Sequence, residues 1–303
     1  MSKMKVILNP AARSYSARTE SQLRQFLSEE GLDFDLVKTT GPGHATELAK
    51  QAIDGGFDVI VAAGGNGMCN EVVNGLMDAS APAKGTAGTF GIIPTGLGNE
   101  FAKAVGIPLS LREACHQLAH GQVRLLDVGR VNLPDGKTRF FNNTVGIGFN
   151  ARIALDLENT RWLWGFPMFV WMTIKAVTRY NQAPIMEIEF NGQRIVQPWL
   201  MVVVGNARRE GTVFQVTPEA ELDDGLFDLL LVPKISRLQI LQFIPRFMNG
   251  AHVGKKPITL VRTQQVRVSS EAELVAHIDG DILCANAHQL EFEILFRQLR
   301  VLC

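Results

Sequence analysis

The chain has no excess of either charge. Its 30 Lys and Arg residues are balanced by 30 Asp and Glu, and no long basic run breaks that balance. A nucleic-acid binder concentrates positive charge on one face, so nucleic acid is not an expected partner. Cysteine is scarce. Cys69, Cys115, Cys284 and Cys303 are scattered, with no CxxC pair and no metal-type spacing, which excludes a disulfide framework and predicts reduced thiols in a cytoplasmic protein. Long apolar runs are missing as well. The most apolar stretch covers residues 162–177, and its core at 162–174 falls short of the about 20 residues that cross a bilayer. Arg161, Lys175 and Arg179 flank it. It reads as a buried or half-buried helix, with a surface that touches the membrane peripherally as the alternative. No secretory leader pattern precedes the first strand, because Val6-Ile7-Leu8 follows almost at once.

What is present points to two domains. Of the 303 residues, 46% are apolar, enough for two cores. Residues 1–125 alternate short apolar runs (5–8, 34–39, 58–63, 89–93) with helical spacing (16–30, 45–54, 70–77, and again from Glu100). Such alternation predicts a parallel sheet covered by helices, with the site on loops at the carboxyl ends of the strands. From about residue 126 the texture changes to short β-rich runs at 127–133, 138–143, 186–190, 199–206, 226–232, 265–269, 274–278 and 290–295. Turn residues such as Pro134-Asp135-Gly136 and Asn191-Gly192 separate them. This half, 126–303, reads as an all-β sandwich or barrel with helices near 160–180 and 236–250. Its last ten or so residues are placed to return to the first domain, and the site is expected in the cleft between the two.

The strand at 58–63 runs straight into Gly64-Gly65-Asn66-Gly67, and a helix follows. Glycines in that position let backbone N–H groups and a helix N-terminus approach phosphate oxygens. Tight connections also use glycine for geometry alone, so one such loop is weak evidence. A second, Pro94-Thr95-Gly96-Leu97-Gly98-Asn99, ends the next strand.

Taken in order, these segments resemble the diacylglycerol kinase catalytic family, which includes bacterial lipid kinases and sphingosine kinases. Asn9-Pro10 stands at the family's opening turn. Thr39 followed by Gly43-His44-Ala45 resembles its phosphate-contacting threonine and Gly-x-Ala. Gly64–Met68 with Asn70-Glu71-Val72-Val73-Asn74-Gly75-Leu76 resembles GGDGT-x-NEVVNGL, and residues 94–102 resemble PxGTGNDFA. Asp127-Val128-Gly129, residues 141–151, Leu222-Asp223-Asp224-Gly225-Leu226-Phe227-Asp228 and Ile278-Asp279-Gly280-Asp281 match later segments. The matches span nearly the whole chain.

The resemblance implies an α/β nucleotide-binding domain of the NAD kinase/diacylglycerol kinase type plus a β-sandwich lipid domain. It implies transfer of the terminal phosphate of ATP to the hydroxyl of a diacylglycerol-like lipid, with a sphingoid base as the second choice. ATP would contact Asn9, Pro10, Arg13, Thr39, Gly64, Gly65, Asn66, Gly67, Met68, Asn70, Glu71, Thr95, Gly96, Leu97 and Asn99. Asp281 and Asp279, where the family has DGE, would supply the carboxylate that orients or deprotonates the hydroxyl; the competing reading is a plain hairpin turn. Magnesium would bind Asp224 and the carbonyls of Glu221 and Leu226, oxygen ligands only, or the loop is a solvated acidic turn. Glu71 either orients the glycine loop or acts as a helix-dipole carboxylate. His44, beside the phosphate-side loop, is read as a solvated residue. A homodimer is compatible with the sequence.

Several positions depart from the family. Asn66 replaces its Asp, Met68 its Thr, Leu97 the Thr of GTGND, Glu100 the Asp, and Arg13 a glycine. Sphingosine kinases also carry an apolar residue where Met68 stands. Asn66 matters most, because a neutral amide binds magnesium weakly and cannot act as a base. The favoured expectation is an active kinase resting on Asp279 and Asp281 with Arg13 adding charge; the alternative is a lipid- or nucleotide-binding relative impaired in transfer.

Overall fold

The computed structural model describes residues 2–12, 15–79, 88–158, 175, 177–178 and 183–303. Arg13 and the apolar stretch at 162–174 therefore lie outside the described residues.

Four short apolar strands set the frame: β1 (Met4–Leu8), β2 (Phe34–Lys38), β3 (Val59–Gly64) and β4 (Thr89–Pro94). They lie in the order β2-β1-β3-β4 with parallel pairing, so that Val6 faces Leu36 on one side and Val61 on the other. Every residue of β3 and β4 is buried, as parallel strands covered on both faces require. The cover comes from α1 (Ala17–Glu29), α2 (His44–Asp54), α3 (Asn66–Ala79), α4 (Glu100–Ala104) and α5 (Leu111–His120). Ser16 starts α1 by accepting the N–H of Thr19, which satisfies one orphan donor of the first turn. Leu23 and Leu27, one turn apart, then pack with Cys115 and Leu118 of α5 on one face of the sheet. On the other face Ala45, Ala49, Val72 and Leu76 pack against Ile60. Helices α2 and α3 touch through Gly75, where a Cβ would lie 2.5 Å from the carbonyl oxygen of Thr46.

The remaining strands are β5 (Val123–Asn132), β6 (Thr138–Phe141), β7 (Thr144–Gly148), β8 (Ile185–Phe190), β9 (Gln193–Gly205), β10 (Phe227–Pro233), β11 (Thr259–Thr263), β12 (Gln265–Ile278) and β13 (Asp281–Leu302). Their pairing with one another is antiparallel. Helices α6 (Phe149–Glu158) and α7 (Arg237–Asn249) interrupt the series. Alternating apolar residues from both halves of this region meet in a core where Phe141 stacks on Phe227 and meets Phe292 edge-on. Each fully buried phenylalanine contributes about 2–3 kcal/mol.

The sequence expects residues 265–269 and 274–278 as two strands. They form one, β12, whose register shifts between Ser269 and Leu274. The run expected at 290–295 is part of a 22-residue strand, β13. Its distal end pairs in parallel with β4, Val301 opposite Phe90, so a single 13-stranded sheet joins both halves of the chain, ten strands in one path with β5, β6 and β8 branching from it. Helix α5, β7 and β11 fall outside the expected runs: β7 and β11 are only five residues long, whereas α5 does carry helical spacing at Leu111, Ala114, Cys115 and Leu118.

Candidate active site

The two glycine loops touch. A Cβ on Gly96 would lie 2.4 Å from Cα of Gly65, a backbone atom that cannot yield. Thr95 donates its backbone N–H to the carbonyl of Gly64 at 3.0 Å, and Asn99 folds its own loop by accepting from the N–H of Gly96 and donating to that residue's carbonyl. Asn66 begins α3 and reaches across to the second loop. Its side-chain oxygen accepts the backbone N–H of Glu100 at 2.8 Å and that of Phe101 at 3.4 Å. Asn99, the residue before α4, adopts a left-handed conformation and makes no side-chain cap, so Asn66 caps that helix from another element. An amide oxygen does this as well as a carboxylate.

Next to Asn66, Glu100 is buried and its Oε2 has no hydrogen-bond partner, while Oε1 lies 3.2 Å from Lys103. Thr95 and Asn99 are likewise buried, whereas Leu97 points outward at 68% exposure.

The two carboxylates at 279 and 281 have different environments. Asp279 and Gly280 turn β12 into β13, both at positive φ (50° and 103°), the conformation of a two-residue type I′ hairpin. The Asp279 carboxylate is buried and accepts four hydrogen bonds, from the backbone N–H groups of Asn142, Asn143 and Thr144 and from the side chain of Asn70, at 2.8–3.0 Å. Burial pushes its acid upward and those donors pull it back, with a net rise. A carboxylate has about four lone-pair positions, and all are used here. Asp279 therefore ties together the turn between β6 and β7, and Asp281 is the member of the pair that reaches the cleft. The side chain of Asp281 is exposed, and its Oδ2 lies 3.3 Å from where a Cβ would stand on Gly67 at the start of α3.

Asn70, expected at the nucleotide, is fully buried in the same network. It donates to Asp279 and to the carbonyl of Phe140, and accepts from Asn74 and Arg139. Glu71 makes a contact that neither of its readings named: it accepts the backbone N–H groups of Gly43 and Ala45 at 2.9 and 3.0 Å and so caps the start of α2. His44 accepts the N–H of Thr40 at 3.0 Å, a local contact. Cys69 is fully buried beneath the loop, and burial, then the nearby Asp279 charge, push its thiol up to about 12, which removes it as a nucleophile.

A cleft of about 840 Å³ opens beside these elements, lined among others by Asn9, Pro10, Thr39, Gly67, Met68 and Asp281. Asn9 shapes its rim by accepting the N–H of Ala11 at 2.8 Å. Lys50 and Arg139, which the sequence reading missed, line it too. Lys50 pairs with Asp78 at 2.7 Å. Arg139 sits on β6, far along the chain from the glycine loops, and no local pattern marks it.

The acidic loop at 221–226 lies on a different side. Its frame is Asp127, whose backbone N–H donates to the carbonyl of Leu222 and whose carboxylate accepts from Gly225 and Arg297. Asp224 Oδ1 accepts the N–H of Leu226 at 3.0 Å. Oδ2 of Asp224 and Oδ2 of Asp228 are both buried without a hydrogen bond, with Arg262 at 3.6 and 3.8 Å. Burial raises Asp228 to about 6 against the pull of Arg262. Two orphaned carboxylate oxygens with one distant guanidinium fit a hard cation such as magnesium. Glu221, expected to offer its carbonyl, is exposed at the start of this loop.

A buried ion pair lies just before the hairpin. His277 Nε2 stands 3.1 Å from Glu210, and Asn150 donates to both oxygens of that carboxylate at 3.0 Å. Burial disfavours charge on ring and carboxylate alike, but each partner outweighs it: His277 is raised and Glu210 lowered.

Residues 3–131 match the model of the diacylglycerol kinase catalytic domain, and residues 143–303 match that of the YegS C-terminal NAD kinase beta sandwich-like domain. Among curated relatives, a protein named diacylglycerol kinase from Bacillus subtilis is 28% identical over 99% of this chain and 96% of its own length. One of the same name from Staphylococcus aureus is 27% identical over 88% of this chain and 83% of its own. A crystal structure described as a diacylglycerol kinase from Bacillus anthracis superposes with a TM-score of 0.74, at 22% identity, over 99% of this chain and 96% of that one. The chain belongs to the diacylglycerol kinase-like lipid kinase family, transferases with an alcohol group as acceptor. It shares that family's two-domain fold, with a sandwich-like C-terminal domain.

Proposed function

We propose that the chain transfers the terminal phosphate of ATP to the hydroxyl of a diacylglycerol-like lipid. Residues 1–125 would bind the nucleotide and 126–303 the lipid. The observation that carries this reading is Asp281 Oδ2 placed against Gly67, where the start of α3 meets the cleft. In-line phosphoryl transfer asks for a positioned acceptor and for donors toward the phosphate charge. The Asp281 carboxylate would orient the lipid hydroxyl and take its proton as the new O–P bond forms. ADP leaves with the electrons of the broken bond. Backbone N–H groups of Gly67 and Met68 and the guanidinium of Arg139 would be donors to the phosphate, and Asn9, Pro10 and Thr39 line the same cleft. Arg13 would add positive charge toward the phosphates, as the sequence expects. Asp279 and Asn70 serve as positioning residues.

Magnesium bound by Asp224 and Asp228 would neutralise two orphaned oxygens and stiffen the acidic loop. Contact with a membrane surface, through which the lipid is reached, is part of the same reading, and so is a cytoplasmic location. Asn66 favours a second reading, in which nucleotide binds and transfer is slow, since an amide serves its capping role fully without supplying charge.

The test is transfer of labelled phosphate from ATP to a panel holding diacylglycerol and a sphingoid base. Wild type is expected to label diacylglycerol, and Asp281→Ala to lose about a hundredfold or more, the range of general-base removal. No transfer by wild type together with recovery in Asn66→Asp would overturn the active reading. Preference for the sphingoid base would reassign the acceptor.

A further inference from the structure

Away from the cleft, three side chains from two helices converge on one point. His116 and His120 stand one turn apart on α5, which puts both rings on the same face. Glu30 is the residue that ends α1. Its carboxylate lies 3.2 Å from His116 Nδ1 and 3.1 Å from His120 Nε2, and the three ligand atoms all fall within 4.8 Å of one another. The imidazoles approach with centroids 4.3 Å apart.

Those separations suit a particular kind of ion. A tetrahedral zinc with bonds of about 2.0–2.1 Å keeps its ligand atoms about 3.3 Å apart, close to both measured edges. Two imidazole nitrogens and one carboxylate oxygen form a donor set for a borderline transition ion, and a poor one for magnesium, which prefers oxygen alone.

The scaffold is fixed in advance. As the cap of α1, Glu30 donates its backbone N–H to the Phe26 carbonyl, and Gly31 after it donates to that of Ser28. Leu27, three residues before Glu30, and Cys115, next to His116, are fully buried in one cluster with Leu23 and Leu118. Glu30 is the C-terminal cap of α1 and His120 the last residue of α5, and helix C-termini favour positive charge. The histidines are exposed, at 62% and 60%, so an ion can enter from solvent and keep water in its fourth position.

We propose that Glu30, His116 and His120 form a zinc-class metal site that latches α1 to α5. It lies at the end of α1 distant from the glycine loops, since α1 starts just after β1 ends and its 13 residues carry the chain about 20 Å away. The role this geometry supports is structural: an ion held by the folded helices alone stabilises the fold by mass action.

The experiment uses the full chain stripped with chelator, then titrated with zinc chloride and separately with magnesium chloride by calorimetry, with thermal unfolding alongside. One zinc per chain is expected, with Tm raised by about 5 °C at a hundredfold excess over Kd, and no such effect from magnesium. The His116→Ala/His120→Ala double variant, and Glu30→Gln, should lose the saturable binding and the shift while keeping the metal-free Tm. Zinc-dependent displacement of the His116 and His120 ring signals in the NMR spectrum of wild type gives a readout that needs no variant. No saturable zinc binding, binding retained by the double variant, ring signals that do not move, or equal binding of magnesium would each overturn the proposal.

Discussion

The side-chain oxygen of Asn66 accepts the backbone N–H of Glu100 at 2.8 Å. One glycine loop thereby caps the helix that leaves the other. Asn66→Ala strands that donor and should cost about 1 kcal/mol, the usual effect of a lost cap. Asn66→Asp keeps the acceptor and adds charge favoured at a helix start but repelled by the buried Glu100 carboxylate. Thermal unfolding should place Asn66→Asp within about 2 °C of wild type and Asn66→Ala below both. Phosphate transfer measured against magnesium concentration should become steeper in Asn66→Asp.

Asp279→Asn sets an NH₂ group against backbone N–H groups at the turn between β6 and β7. At least two bonds to a charged acceptor are lost, at about 1.5–3 kcal/mol each. The Tm should drop by about 10 °C, with transfer activity lost alongside stability. Asp281→Asn, on an exposed side chain, should lower Tm far less than Asp279→Asn while removing transfer. Calorimetry and a kinase assay on both variants separate the positioning role from the catalytic one.

Gly96→Ala drives a Cβ into Cα of Gly65. Because the obstacle is backbone, the loops must part. ATP affinity should weaken at least about tenfold, equivalent to 1.4 kcal/mol, as read by equilibrium titration of a nucleotide analogue.

The buried His277–Glu210 pair should have a pH window. His277 is raised above its ordinary 6.5, so its contribution is full below 6.5 and lost as pH climbs through the folded value. Glu210 is lowered below 4.5, so its contribution is full above 4.5 and lost as pH falls through the folded value. The Tm difference between wild type and Glu210→Gln should be largest between pH 4.5 and 6.5 and narrow on both sides. A difference that stays flat from pH 4 to pH 9 would contradict the pairing.

Asp228 runs the other way. Its acid is raised from 3.8 to about 6 by burial, so ionising it destabilises the fold as pH rises across that interval. Asp228→Asn should gain on wild type in chelator between pH 4 and pH 7. Magnesium at millimolar concentration should erase that gain by stabilising the wild-type carboxylate, and unfolding curves with and without the ion decide it.

The sequence exposes what depends on neighbours along the chain. Apolar runs ending in glycine loops give β3, α3 and β4, and the Ser16 cap gives α1. It hides what depends on meetings at long range. Asp279 and Asp281 are two residues apart and look equivalent, yet one is spent on backbone groups of residues 142–144 and the other faces Gly67. Glu71 carries the same helical signature whether it orients a phosphate loop or caps α2. Arg139 reaches the cleft only because β6 packs beside α3, and His116 and His120 gain a third ligand only because α1 ends beside α5.

The pairing of Val301 with Phe90 also bears on how the protein is made. While the chain emerges from a ribosome, β4 stays an open edge until residues far downstream are synthesised. The hairpin that presents Asp281 comes into being in the same late interval, on the strand that closes that edge. The nascent chain thus carries an unsealed sheet through most of its synthesis, a natural target for a holding chaperone, and it gains its reactive carboxylate only as that seam shuts.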